Sequence, residues 1–141
     1  MPLTVGVRWH QTTVFIRFVV TERDSRSDQP KGIFTALYAL DRRGELQPHE
    51  RTWFEDAEAW FNRHLRRPER LAWSSRSNAP ERAITWLKMS ATEHVSRMRE
   101  LVALLEHKDV MVEEVRTDKP GYVVYEDEHQ VAAMPFGKET F

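Results

Sequence analysis

Alternating apolar side chains predict the first element, a β-strand over residues 12–21. In TTVFIRFVVT, Val14, Ile16, Phe18 and Val20 recur at every second position and share one face, which is the period of a strand. The β-branched and aromatic residues that fill the segment also favour strands. A second strand is predicted over 33–40, IFTALYAL, because the run is apolar on both faces between a polar loop and the turn signal DRRG.

Two later segments have helical periodicity. From 49 to 65 the apolar residues recur at spacings of three and four, which makes one broad stripe. Pro48 suits the first turn of this helix. A second helix is predicted over 90–107, where SATE at Ser90–Glu93 matches a capping box, in which the hydroxyl and the carboxylate bind orphan amides.

Short apolar runs around and after the second helix predict the remaining strands. The runs at 83–87 and 110–115 flank that helix, which favours a βαβ unit with parallel strands and a right-handed crossover. In KPGY the glycine, Gly121, suits a turn position with positive φ. Two further strands, 122–125 and 129–134, are predicted around the acidic turn that follows.

The element order ββαβαβββ predicts an α+β fold. We expect a two-layer sandwich, with a mixed or antiparallel sheet covered on one face by two amphipathic helices. The 141 residues and the 40% apolar content suit a single domain, 1–141, with its own core. No repeat or linker divides the chain.

Composition narrows the class of function. The formal net charge is −1, which gives no long-range attraction to nucleic acid or to an anionic membrane. The chain has no cysteine, which excludes disulfides and thiolate sites and suits a reducing compartment. No apolar run approaches the length of a membrane span, and the first residues lack a signal-peptide pattern. We therefore expect a cytoplasmic protein without membrane association.

Three segments resemble those of a group of small bacterial proteins of unknown function. They are WFEDAEAWFNRHL at 53–65, AITWLK at 83–88 with the helix after it, and PGYVVYEDEHQVAAMPF at 120–136. The resemblance implies a bacterial source and a self-contained domain. It brings no activity, ligand or catalytic residue with it.

A basic stretch, 63–82, is the first candidate binding site. Its six arginines face only two glutamates, guanidinium groups bind phosphate, and a tryptophan in the same loop can stack on a base. The competing interpretation, which we favour, is that these arginines end a helix and pair with the acidic stretch 106–128, while Trp73 fills the core. The candidate ligand-binding residues are Arg63, Arg66, Arg67, Arg70, Trp73 and Arg76.

The acidic turn at 126–128 is the second candidate. Carboxylates bind divalent ions that assist hydrolysis. An alternative role for Glu126 and Glu128 is therefore a metal site. Its further ligands would be Glu113 and Glu114, on a strand that we expect to be adjacent. The competing interpretation, which we favour, is a solvated turn whose charges oppose edge-to-edge association.

No other motif in the sequence indicates a catalytic or cofactor-binding site. Six histidines are scattered without an HExxH or HxH pair, and no GxSxG, phosphate loop or dinucleotide fingerprint occurs. We therefore interpret the histidines as surface or boundary residues and expect no cofactor.

The sequence itself names no biochemical function. A small cytosolic non-enzymatic binding or regulatory domain is the favoured hypothesis. The alternatives are a metal-assisted hydrolase or nuclease, and an interaction subunit of a homo-oligomer that uses the aromatic residues of the first helix. The partner classes left open are a protein or a second copy of the chain and, with weaker support, nucleic acid.

Overall fold

The computed structural model describes residues 13–23, 30–66 and 83–136. Within these ranges three helices pack on one face of a six-stranded sheet. This confirms the predicted α+β sandwich, with one helix more than expected and with antiparallel strand pairs only. The strands are β1 (Phe15–Arg23), β2 (Pro30–Gly32), β3 (Ile84–Lys88), β4 (Val112–Thr117), β5 (Tyr122–Glu126) and β6 (Gln130–Met134), and the helices are α1 (Ile33–Arg42), α2 (Pro48–His64) and α3 (Thr92–His107).

Strand β1 lies in the middle of the sheet. One of its edges pairs with β4 from Phe15 to Val20. Its other edge is divided, because β3 pairs with Phe15 and Ile16 while β2 pairs from Val19 onward. The sheet continues from β3 to β6 and ends at β5, so among the described strands β2, β4 and β5 each pair with a single neighbour.

The two strands of the predicted βαβ unit run in the same direction, as predicted, but they are not neighbours in the sheet. Strands β3 and β4 are both antiparallel to β1, so they run parallel to each other on either side of it. The sequence between them supplies α3, as predicted. Strand β1, from far earlier in the chain, occupies the position between the two, which local spacing could not reveal.

The main core lies between the sheet and the helices. Ile16, Phe18 and Val20 of β1 are buried in it, which confirms the face that their alternation predicts. Each large apolar side chain buried this way contributes about 1.5–3 kcal/mol. On the other face a smaller cluster contains Phe15 and Trp86.

The predicted strand at 33–40 is wrong, because these residues form helix α1. The buried residues Ile33, Ala36, Leu37 and Leu40 follow helical spacings of three and four, which a run apolar at most positions conceals. The turn signal after it is confirmed: α1 ends at Arg42, and Gly44 adopts φ +72°, as helix-ending glycines do.

Of the other two helices, one begins as the sequence pattern predicts and one does not. Pro48 opens α2 as predicted, and the Glu50 carboxylate accepts the backbone N–H of Gln47 at 2.8 Å. The capping box predicted at Ser90 is wrong, since α3 begins at Thr92 behind Ala91 and has no side-chain cap. A tight turn, in which the Ala91 N–H donates to the Lys88 carbonyl at 2.9 Å, leaves Ser90 outside the helix.

The ends of α2 and α3 are joined by an ion pair. Lys108 Nζ lies 2.7 Å from Glu50 Oε1, and both side chains are mostly buried. The hydrogen bond from Lys108, followed by that from the Gln47 backbone, lowers the pKa of Glu50. In the described ranges, no helix has the length and apolarity that crossing a membrane would require.

Candidate functional site

A cleft of about 350 Å³ opens between the C-terminal end of α2 and the turn that joins β5 to β6. Residues 62–66 form one wall, and residues 127–129 form the other. The cleft therefore joins the start of the basic stretch to the acidic turn, which the sequence analysis treated as two separate candidates.

Two buried side chains fix the helical wall. The Nε2–H of His94 donates to the carbonyl of His64 at 2.7 Å, and Nε2 of Gln130 donates to the carbonyl of Arg66 at 2.6 Å. The last carbonyls of a helix have no partner within the helix, so the first bond satisfies a carbonyl in the last turn of α2. The second satisfies a carbonyl just beyond the end of α2. Because a carbonyl only accepts, His94 carries a proton on Nε2.

Asp127 fixes the opposite wall. One carboxylate oxygen accepts the backbone N–H groups of His129 at 2.8 Å and of Gln130 at 3.1 Å. The other accepts the Tyr125 hydroxyl at 2.7 Å and the Gln130 amide at 3.1 Å. Burial alone would raise the pKa of Asp127, but the four hydrogen bonds outweigh it and lower the pKa. The negative charge of Asp127 therefore stabilises the turn through these four hydrogen bonds.

A stack of rings runs inward from the cleft. The His129 ring stacks on His94 at 4.2 Å between centroids, and His94 meets the ring of Trp60 at 4.8 Å. The guanidinium of Arg97 covers Trp60 at 4.3 Å from its centroid. His94 is buried, and burial above all lowers its pKa, so its imidazole is neutral at about pH 7.

The two arginines of the cleft are free of ion pairs within the described ranges. Arg63 and Arg66 are exposed residues of the helical wall. By contrast, Arg43, Arg51 and Arg97 each lie within 3.0 Å of a carboxylate oxygen. Arg63 and Arg66 therefore bring two positive charges to a cleft whose other wall carries Asp127, which is hydrogen-bonded within its turn, and the exposed Glu128.

The structure tests the placement of the predicted ligand-binding residues only in part. Arg63 and Arg66 lie together on the cleft, where they are not paired with the acidic stretch. The other four members of the predicted set lie outside the described residues; they are Arg67, Arg70, Trp73 and Arg76.

The four carboxylates of the metal alternative are not brought together. Strand β4 lies at the opposite end of the sheet from β5, so the expectation that Glu113 and Glu114 neighbour the acidic turn is wrong. Glu126 pairs with Lys88 at 2.6 Å, and Glu114 pairs with Arg99 at 3.3 Å. Across the described ranges, no group of three or more histidine, aspartate or glutamate side chains could hold a metal ion.

Sequence reasoning missed the histidines of the cleft. His64 and His129 line it, and His94 lies behind them. The surface or boundary interpretation is wrong for His94, which is buried. The only signal was indirect, because each histidine lies close to the end of a predicted element, and no local spacing links the three.

Comparison with known proteins identifies no relative. No family model matches the chain, and no curated protein or solved structure matches it. The resemblance to small bacterial proteins therefore receives no support from these comparisons. A function for this chain is inferred from the geometry and charge of its cleft.

Proposed function

We propose that the protein is a small non-enzymatic binding domain that holds a small anionic ligand in the cleft. The observation that carries the proposal is that two exposed arginines, Arg63 and Arg66, line the cleft and form no ion pair with any described residue. Guanidinium groups bind carboxylates and phosphates through paired, charge-assisted hydrogen bonds.

The fixed walls of the cleft support this proposal. His94 and Gln130 hold the backbone beside the two arginines, and Asp127 holds the facing turn. A site that is already ordered loses little conformational entropy when a ligand binds. A cytoplasmic location is part of the proposal and rests on the cysteine-free sequence.

Titration with inorganic phosphate tests the proposal. We expect saturable binding, observed as amide shifts of residues 62–66 and 127–129 in NMR spectra. The double variant R63Q/R66Q should weaken this binding at least about tenfold, because each charge-assisted hydrogen bond contributes about 1.5–3 kcal/mol.

R43Q/R51Q is the matched control, because it removes two exposed arginines that already pair with Glu45 and Asp41. This control should bind phosphate as the unmodified protein does. The proposal fails if the unmodified protein does not bind phosphate, or if R63Q/R66Q binds it equally well.

A further inference from the structure

We infer that two copies of this chain associate through the outer edge of β4, in an antiparallel register centred on Val115 that places Glu114 of each copy opposite Arg116 of the other. The two sheets then form one continuous sheet across a two-fold axis, which is the commonest symmetry of homodimers. The inference goes beyond the proposed function, because β4 lies at the opposite end of the sheet from the turn that lines the cleft.

Among the described strands with a single neighbour, β4 has the most regular outer edge. It pairs with β1 over six consecutive residues without a shift in register. Strand β2 has three residues and begins with Pro30, which has no N–H to donate. The pairing of β5 is irregular between Val123 and Tyr125, and such irregularities disrupt the ladder that a further strand would extend. A regular edge presents a row of backbone groups to which another strand can pair.

The hydrogen bonds to β1 determine which backbone groups of β4 point outward. The Thr21 N–H donates to the carbonyl of Met111 at 3.4 Å. Hydrogen-bonded positions alternate along an antiparallel pair, and the register continues from this bond into β4, so the odd-numbered residues of β4 bond to β1. The N–H and C=O groups that point away from β1 are those of Val112, Glu114 and Arg116.

Charge selects one register for two β4 strands. Outward groups must meet outward groups, so the two-fold axis passes through a residue, which then lies opposite its own copy. An axis at Glu113, Glu114 or Arg116 opposes like charges, which is destabilising, and an axis at either end of β4 leaves most of the strand unpaired. An axis at Val115 opposes two valines and places Glu114 opposite Arg116 of the partner on both sides, where opposite charges are stabilising.

The side chains of β4 are placed for this pairing. Glu114 lies on the helical face of the sheet, where it contacts Arg99 of α3 at 3.3 Å. It also pairs with Arg116 of its own strand, and Arg116 is exposed. An exposed ion pair contributes little to stability, so Arg116 can turn to the partner at small cost. On the other face, Val115 packs beside the smaller cluster and gains a second apolar neighbour. The net charge of −1 imposes little repulsion between two copies.

Sedimentation velocity from micromolar to millimolar concentration tests this association. We expect the unmodified protein to change from the mass of one chain to twice that mass. Glu114→Arg and Arg116→Glu should each weaken self-association at least about tenfold, because each places two like-charged pairs opposite one another. Glu93→Arg makes the first of these charge changes in an exposed ion pair of α3, and this matched control should associate as the unmodified protein does.

Charge exchange tests the register itself. A mixture of E114R and R116E should recover association, because the two arginines of one chain then lie opposite the two glutamates of the other. The double variant E114R/R116E should associate with itself, since it exchanges the two charges within each chain.

The results also define what would overturn the inference. A protein that keeps the mass of one chain up to millimolar concentration overturns it. So does an E114R or R116E variant that associates as tightly as the unmodified protein, or a mixture of the two that associates no better than either alone. Should a variant not fold, amide exchange in the unmodified protein gives a second measurement. The amides of Glu114 and Arg116 should exchange at least about tenfold more slowly at high than at low concentration, and equal rates overturn the inference.

Discussion

At the scale of the residue, one buried imidazole joins α2, α3 and the β5–β6 turn. His94 belongs to α3, donates a hydrogen bond to the His64 carbonyl of α2, and stacks on His129 of the turn. Burial lowers its pKa, so these contacts are made by the neutral ring. The cleft therefore depends on a buried ring that stays neutral at about pH 7 and gains a charge only in more acidic solution.

We expect stability to fall in mild acid because of His94. The ordinary pKa of histidine is about 6.5, and in the folded protein that of His94 is lower, so near this pH the unfolded chain binds the proton more readily. The contribution of the neutral ring is complete above about pH 6.5 and is lost as the pH falls through the folded pKa. Urea unfolding at several pH values between about 8 and 5 measures this loss.

His94→Gln is the variant that isolates this effect, because glutamine can donate to the His64 carbonyl and does not titrate. Its stability should vary less with pH than that of the unmodified protein. His107→Gln, at an exposed residue of α3, is the control and should keep the full pH dependence. An unchanged pH dependence in H94Q would contradict the role assigned to His94.

At the residue scale, the sequence singled out two arginines that line the cleft and missed its histidines. Arg63 and Arg66 were recognisable, because residue type alone indicates anion binding. The stacking of His94 on His129 was not, since a helix and a distant turn must first pack together. Similarly, nothing local shows that Asp127 uses its charge within its own turn.

At the scale of the element, two glycines with positive φ differ in what surrounds them. Gly44 ends α1 at φ +72°, and a Cβ added there would meet nothing within 4 Å. Gly121 precedes β5 at φ +130°, and its Cβ would overlap the backbone carbonyl of Met134. At Gly44 a side chain is therefore disfavoured only by the backbone conformation. At Gly121 it would also collide with the backbone at the end of β6.

Alanine at these two positions should separate the two effects. Gly44→Ala should destabilise the fold by about 1 kcal/mol, the cost of placing an L-residue in this conformation. Gly121→Ala should cost about 3 kcal/mol or more, since strain is added to overlap with a backbone that cannot move freely. Equal unfolding free energies for the two variants would show that β5 and β6 separate easily at this point.

The elements show where sequence patterns succeed and fail. The stripe of α2 was recognisable because polar residues interrupt it at helical intervals. Helix α1 was misread because Phe34 and Tyr38 add apolar side chains beyond the buried set, so the run looks apolar on both faces. The capping-box motif at Ser90 caps no helix, because α3 begins only at Thr92. A matching motif is therefore not sufficient to fix where a helix starts.

At the scale of the whole molecule, the described strands differ in how many neighbours support them. Strand β6 pairs with β3 on one edge and with β5 on the other, and its residues are buried throughout. Strand β5 pairs only with β6 among the described strands, and Val123 is exposed. The sequence alone could not order these strands, because strand order depends on contacts between distant segments.

Hydrogen exchange should follow this order. We expect the amides of Val131 and Ala133 to exchange only on global unfolding, because local opening would break pairs on both sides of β6. The amide of Val123 should exchange at least about 100-fold faster, through opening of the outer strand. Equal protection in β5 and β6, measured by NMR, would indicate that β5 is covered on its outer edge.

The central position of β1 has a consequence for synthesis in the cell. Of the described strands, the ribosome makes this one first, whereas its neighbours β3 and β4 come from residues 84–88 and 112–117. At typical translation rates of about 5–20 residues per second, FIRFVV at 15–20 waits roughly 5–20 s for the last of them. A nascent chain stalled before β4 should therefore attract chaperones at this hexapeptide, and release them once β4 has been translated.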